Sequence, residues 1–485
     1  MSRSLLRAAA CLVLLSLFAT AQTKKPAPPD PALAKKKEAV ALIEQQQAPL
    51  IKVSDEIWGY AETALREKQS AKAMSDYAEQ QGFKVERGVA GMPTAFIASY
   101  GEGRPIIGIL GEYDALPGIS QKAQPGKEAL VAGAPGHGCG HNLLGTASMG
   151  AAVAIKEMIA AGKLKGTIRY YGTPAEEAVG GKVYMIRAGL FKDVDIVLAW
   201  HPATKVNVDT AGGQAIVDTI VEFHGKASHA AFDPWNGRSA VDGLEALTHG
   251  LNMMREHIQP TARIHYVIVK GGDVPNVVPE YAKLWLWLRD TKRERVEEML
   301  ARVKRMTEGA GMMAGVEAKL TVQAGDYERL VNMTGERLLY SNMTWLGPIE
   351  FTPEEQAFAK QIQANTGVPT KGLLGQIQPF DPNPPPEGGS TDVGDVSWTV
   401  PTLHFSVTTA ADGAPWHGWP VVATSGMSIG HKGMMYASKV LAATAVDLFE
   451  KPEVREAIQK EFAEQTKGLV YKPFIPDGPP PLPKD

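Results

Sequence analysis

The sequence predicts an α/β protein, a domain built on a central mixed sheet and interrupted by an inserted ferredoxin-like α+β domain, in a chain of 485 residues. Short apolar runs alternate with longer amphipathic stretches, the pattern of strands whose connecting helices cover a sheet. From about Gly213 that rhythm gives way to β-α-β-β-α-β, an order that makes a compact unit of its own, and it resumes near residue 330. A hydrophobic fraction of 44% and a charged fraction of 21% suit a globular chain long enough for two domains.

The elements follow in order. "MSRSLLRAAACLVLLSLFATAQ" carries two arginines, a short apolar run and Ala19-Thr20-Ala21, which predicts a secretory signal peptide over 1–21, cut after Ala21, and a periplasmic or secreted protein. Cys11 is disfavoured as a lipid-anchor cysteine because most of the apolar run follows it. The Pro- and Lys-rich segment 22–36 reads as a tether, and a helical pattern begins at Lys37. "PIIGILGEYDALP", a helix from Asn142 to Ala161, "GTIRYYGTPAEE" and "DVDIVLAWHP" build the first part of the α/β domain, 37–212. The insert, 213–330, runs "QAIVDTIVEFHG", a helix Arg238 to His257, "RIHYVIVKG", "YAKLWLWLRD", a helix Arg293 to Gly309, and "VEAKLTVQAG". The α/β domain returns over 331–470, and 471–485 form an irregular tail. No apolar run after the leader approaches the roughly 20 residues of a membrane helix, so no membrane contact is expected after cleavage. A net charge of −3 without a basic stripe argues against nucleic acid.

The chemistry-bearing residues fall at predicted strand ends, where open α/β sheets hold their sites. Cys139 and His141 stand in the glycine-rich turn "GAPGHGCGHNLLG", Glu176 and Glu177 follow "YYGTPA", His201 ends "DIVLAW", and His417 lies in "GAPWHGWP". Thiolate, imidazole and carboxylate are zinc ligands. Singly, each has an ordinary reading as a small buried hydrophobe, a core or surface histidine, or a solvated turn. Cleavage after Ala21 would take Cys11 with it and leave Cys139 as the mature chain's single cysteine, with no second thiol for a disulfide within it.

"HGCGHN", "GTPAEE", "HGKASHAA", "NVVPE" with "LRD", and near the C-terminus "GGSTDVGDVSW" and "GHKGM" resemble, in order, the family of cocatalytic zinc peptidases and aminoacylases. That family includes hippurate hydrolase, auxin-conjugate hydrolases and carboxypeptidase G, and the cysteine version of the motif looks most like its p-aminobenzoyl-glutamate hydrolase branch. The resemblance implies a catalytic α/β domain holding two divalent ions, zinc or manganese, and an inserted lid domain that makes a homodimer. It assigns Cys139, His141, Glu177, His201 and His417 as ligands, Glu176 as general base then acid, and His229 as oxyanion donor, often from the partner subunit. Asn276 and Arg289 match substrate-binding positions, Arg289 offering a planar fork for a carboxylate.

Cys139 replaces the bridging aspartate of better-known members, and Asn142 stands where many relatives have Asp. His137 is a candidate sixth ligand, read in preference as an outer residue left mobile by its glycine neighbours, Asp114 is read as support for a ligand rather than a ligand, and His431 as packing or capping at the start of the last helix. The expected function is an exported metal-dependent amidohydrolase acting on N-acyl amino acids, an aromatic acyl group among them, or short peptides. The alternatives are a dipeptidase or carboxypeptidase of the same family, and a non-catalytic binding protein on the same fold. The loop "QIQPFDPNPPPEGG" is either a pocket wall or plain surface.

Overall fold

The computed structural model describes residues 31–386 and 388–483; the expected leader, its cleavage site and most of the tether lie outside them. Two sheets form two layered units. The first has seven strands: β1 (Lys84–Arg87), β2 (Phe96–Gly101), β3 (Ile106–Gly111), β4 (Thr167–Gly172), β5 (Ile196–Ala203), β6 (Asn207–Val208) and, after the insert, β11 (Thr402–Thr408). Their order is β1-β2-β4-β3-β5-β11-β6. The central β4, β3, β5 and β11 run parallel and the edges antiparallel, so the sheet is mixed. Helices cover both faces, and the segments leaving the carboxyl ends of the parallel strands carry the candidate ligands.

The insert is β7 (Ala215–His224), helix Ala240–Met254, β8 (Arg263–Gly271), β9 (Tyr281–Asp290), helix Arg293–Ala314 and β10 (Glu317–Asp326), with sheet order β10-β7-β9-β8, the ferredoxin-like arrangement. Along β9 the residues alternate. Ala282, Leu284, Leu286 and Leu288 turn toward Leu244, Leu247, Val296 and Val303 of the two helices, in a core of their own. Each buried Leu is worth about 2 kcal/mol, which fixes the register and sends Trp285, Trp287 and Arg289 to the other face, toward the first domain.

Two sequence expectations are corrected. The first helix starts at Pro31 rather than Lys37, so residues 31–36 are not tether. Lys36 is buried there against Asp447 at 2.5 Å, and Ala39 and Ile43 enter the main core. Helix His141–Ala160 is as long and apolar as a membrane span, contrary to the count of apolar runs, but 78% of its span lies inside the fold. Its small residues let it pass under the sheet, and Trp200 Nε1 donates to the Leu144 carbonyl at 3.1 Å. The tail is irregular yet anchored, with Tyr471 donating to Asp395 and Ile475 buried.

Candidate metal centre

The glycine-rich turn brings Cys139 and His141 to the end of the sheet. Gly140 has φ of 79°, the left-handed region that glycine enters without cost, and the helix begins at His141. The adjacent "GTPAEE" turn holds Ala175 at φ of 62°, and the other loop holds His417 at φ of 56°. Non-glycine residues in that region are strained and cluster where a side chain must be aimed. Glu67, missed in the sequence, fixes the first of these turns by accepting from the Ala175 and Leu65 amides at 2.9 Å each.

The five implied ligands and Glu176 meet in three overlapping groups, in each of which one ligand atom per residue lies within 4.8 Å of the others: Cys139, His141 and His201; Cys139, Glu177 and His417; and Glu112, His141 and Glu176. Cys139 belongs to the first two. Its Sγ is 3.3 Å from His201 Nε2 and accepts from Trp416 Nε1 at 3.3 Å. Glu177 Oε2 is 3.5 Å from His417 Nε2. The imidazoles are oriented from behind, as ligand histidines usually are. His201 Nδ1 donates to the Pro202 carbonyl at 2.6 Å, leaving Nε2 to the site. Asp114 accepts from His141 Nδ1 at 2.9 Å and from the Glu177 amide at 2.9 Å, so it supports two ligands.

The electrostatics are those of a site built for cations. Burial and Glu177 push the Cys139 thiol up; burial, then the carboxylates Asp114 and Glu112, raise Glu177 to about 7 despite His141. Burial, Glu112 and Glu177 raise Glu176 well above the carboxylate range. Burial and His141 lower His201 to about 4, keeping its ring neutral. Glu177 Oε1, Glu112 Oε2 and His141 Nε2 are buried without hydrogen-bond partners. Buried orphan acceptors are rare and costly. Together with a thiol that a coordinated ion would deprotonate outright, they make the donor set fit divalent metal.

His137 is buried and fixed, its Nε2 3.0 Å from the Ile57 carbonyl, not mobile as its glycine neighbours suggest, and it joins none of the ligand groups. His431 lies in the first turn of helix Ser428–Glu450, 2.8 Å from Asp55. Asn142 donates to the Ser425 carbonyl and Ser54 Oγ, a packing role in place of the absent acid. Three further residues were given no role from the sequence. Lys182, fully buried, bridges Glu112 Oε1 and Asp392 Oδ1 at 2.6 Å each; Asp392 lies in the motif "GGSTDVGDVSW", whereas Lys182 and Glu112 carried no local signal.

A cavity of ≈ 550 Å³ opens over Cys139, Glu176 and His417 and continues to Trp287, Arg289 and Trp416. Of the Pro-rich loop only the last residue, Gly389, borders this cavity, next to Ser390 and Thr391 of the segment that follows. The Arg289 guanidinium lies 5.0 Å over the Trp287 ring and donates to the Gly388 carbonyl at 3.4 Å. His229 and Asn276 are exposed and do not line this chain's cavity. They sit together, the Ala230 amide donating to the Asn276 carbonyl. The Ala231 and Phe232 amides donate to His229 Nδ1 at 3.2 and 3.0 Å, which places the ring proton on Nε2.

A buried thiol, imidazole and carboxylate cluster at parallel strand ends, under an inserted ferredoxin-like domain, defines a metal-dependent hydrolase of amide bonds. A model of peptidase family M20/M25/M40 matches residues 108–418. The chain belongs to that family. It is 37% identical over 470 residues to one of the subunits of p-aminobenzoyl-glutamate hydrolase from Escherichia coli, covering 91% of this chain and 97% of that protein. It is 29% identical to Xaa-Arg dipeptidase of Homo sapiens, covering 84% and 88% respectively. A Bacillus subtilis protein described as a dinuclear metal binding peptidase from the M20 family shares the fold with a TM-score of 0.59 at 19% identity, over 84% of this chain and 99% of that one.

Proposed function

We propose that this enzyme hydrolyses the amide bond of N-acyl amino acids, with an aromatic acyl group accommodated, at a centre of two divalent ions, zinc or manganese. The single observation that carries this is the position of Cys139 in two ligand groups at once, beside a glutamate, Glu176, that belongs to neither. Cys139, His141 and His201 would hold one ion and Cys139, Glu177 and His417 the other. Such a pair, when bound, polarises the amide carbonyl and makes water acidic enough to attack near neutral pH.

Glu176, whose ionised form nearby bound cations would favour, accepts the water's proton and passes it to the leaving nitrogen, general base turned general acid. Its neighbour Glu177 is anchored by Asp114 through its amide, so the two adjacent carboxylates are separated in role. Arg289 on β9 meets the substrate carboxylate, and Trp287 and Trp416 offer flat walls to an aromatic acyl group. Asp218, which accepts from Trp285 Nε1 at 2.6 Å, and Asp326 line the same cavity and favour a second reading, a dipeptidase for a basic residue.

The tautomer of His229 makes its exposed Nε2 a hydrogen-bond donor, suited to the oxyanion of the tetrahedral intermediate. Since His229 and Asn276 do not line their own chain's cavity, they act in the site of a second copy. That copy docks at β8, an edge strand paired only with β9, whose Val267, Ile268 and Val269 are 61%, 52% and 51% exposed. An open apolar edge is a template for strand pairing. Residues 1–21 support export with cleavage after Ala21, which N-terminal sequencing of the periplasmic fraction checks.

The test is a pair of isosteric variants. Glu176→Gln should keep both ions and substrate binding but lose turnover about a hundred- to ten-thousandfold, and Glu177→Gln should lose metal and regain part of its rate in excess zinc or manganese. Metal analysis and a panel of p-aminobenzoyl-glutamate, acyl amino acids and Xaa-Arg dipeptides read both. The assignment fails if both variants keep metal and full rate.

A further inference from the structure

Glu112 directly follows β3, and its carboxylate is almost fully buried. Oε1 accepts from Lys182 Nζ at 2.6 Å, and Lys182 is held in turn by Asp392. The Lys182 ammonium on Oε1 is the partner that a buried carboxylate needs. Oε2 has no hydrogen bond, and it lies 3.2 Å from His141 Nε2, which has none either.

The other His141 nitrogen, Nδ1, donates to Asp114. In the neutral ring this leaves Nε2 with a lone pair directed at an acceptor-only oxygen. Two such atoms facing each other away from water are unfavourable, the charged one most, unless something positive lies between them. Their separation is about that of two donors sharing one divalent ion, each about 2.1 Å from it. A proton on Nε2 would satisfy the pair in the metal-free chain, and it is the proton that an ion displaces.

We infer that Glu112 is a further ligand, its Oε2 completing the coordination of the ion on His141, with Lys182 and Asp392 as the residues that orient it. The inference rests on the two-ion reading above. It gives one ion a hard carboxylate oxygen beside sulfur and nitrogen, and so moves that position toward manganese, which prefers oxygen ligands, and away from four-coordinate zinc. Lys182 accounts for Oε1 alone, and leaves Oε2 free for the ion.

The test compares the full-length wild type with Glu112→Gln and Asp392→Asn after equilibration with manganese or zinc in graded chelator. Bound metal per chain is read by mass spectrometry, and coordination by the visible spectrum of the cobalt-loaded protein. Wild type should hold two ions. Glu112→Gln should hold one of them at least about tenfold more weakly, more so for manganese than for zinc, with an altered cobalt spectrum. Asp392→Asn, which leaves both Glu112 oxygens in place and only loosens Lys182, should weaken that ion less than Glu112→Gln does.

Equal affinities and identical cobalt spectra in wild type and Glu112→Gln overturn the inference while leaving the two-ion reading standing. Equal losses in Glu112→Gln and Asp392→Asn also overturn it, because the effect then comes from the Lys182 charge balance. A wild type that holds fewer than two ions overturns both. If Glu112→Gln does not fold, Glu112→Asp, which keeps the charge beside Lys182 but draws the carboxylate back, carries the same comparison: weakened metal supports the ligand role and unchanged metal removes it.

Discussion

At the scale of single residues, Cys139 carries most of the site. Because it belongs to both of the groups proposed to hold an ion, Cys139→Ser should weaken both ions rather than one. A neutral hydroxyl is a far poorer ligand than thiolate, so metal content after dialysis should fall below one ion per chain. Retention of both ions would show that the thiol is packing alone. The identity of this residue was legible because a glycine- and histidine-rich turn is poor core material. Glu112 and Lys182 were not legible. A glutamate in "GEYDALP" and a lysine in "GGKVY" look like solvated residues until folding closes the 70 positions between them and buries both. His137 went the other way: glycine neighbours suggested motion, and the packing of helix Gln47–Tyr60 supplies the Ile57 carbonyl that fixes it.

At the scale of elements, alternation and strand ends carried the reading well. The β9 pattern "YAKLWLWLRD" says by itself that one face is aliphatic and the other carries Trp285, Trp287 and Arg289. Periodicity fails where packing overrides composition, as in the first helix. Its lysines look like tether, but Lys36 pairs with buried Asp447, which also accepts from Asn342 Nδ2 at 2.9 Å. Removing Lys36 withdraws one of two cations from buried Asp447, which keeps Lys451 Nζ at 2.8 Å, so the cost is that of one lost charged hydrogen bond, about 1–3 kcal/mol. Lys36→Met should therefore lower the denaturation free energy, measured by urea unfolding, by about that amount while metal content is unchanged. A change within a few tenths of a kcal/mol would return residues 31–36 to the status of a tether.

At the scale of the whole molecule, the expectation is a site assembled from two copies. Val267→Lys on the open β8 edge should convert a dimer into a monomer by sedimentation, keep the metal, and lower turnover about a hundredfold, the loss expected when an oxyanion donor is withdrawn. A monomeric wild type of full activity would sink this. Mixing provides the complementary measurement. His229→Ala and Glu176→Gln, each nearly inactive alone, should regain up to about a quarter of wild-type rate when their subunits exchange, because half the dimers are hybrids with one complete site. If mixing restores nothing while hybrids form, His229 has no part in the partner's site.

What the sequence determined by itself is the fold class, the order of the elements and the types of candidate donor at the strand ends, because these depend on local period and on residue chemistry that needs no neighbours. What only the tertiary structure decided is which atoms face which: Asp114 behind both His141 and Glu177, Cys139 shared between two groups, and Glu112 opposite His141 without a hydrogen bond. The physical reason is that burial turns an ordinary charge into a specific demand for a partner. Which groups are buried together depends on contacts between residues far apart in the chain, and no local pattern records them.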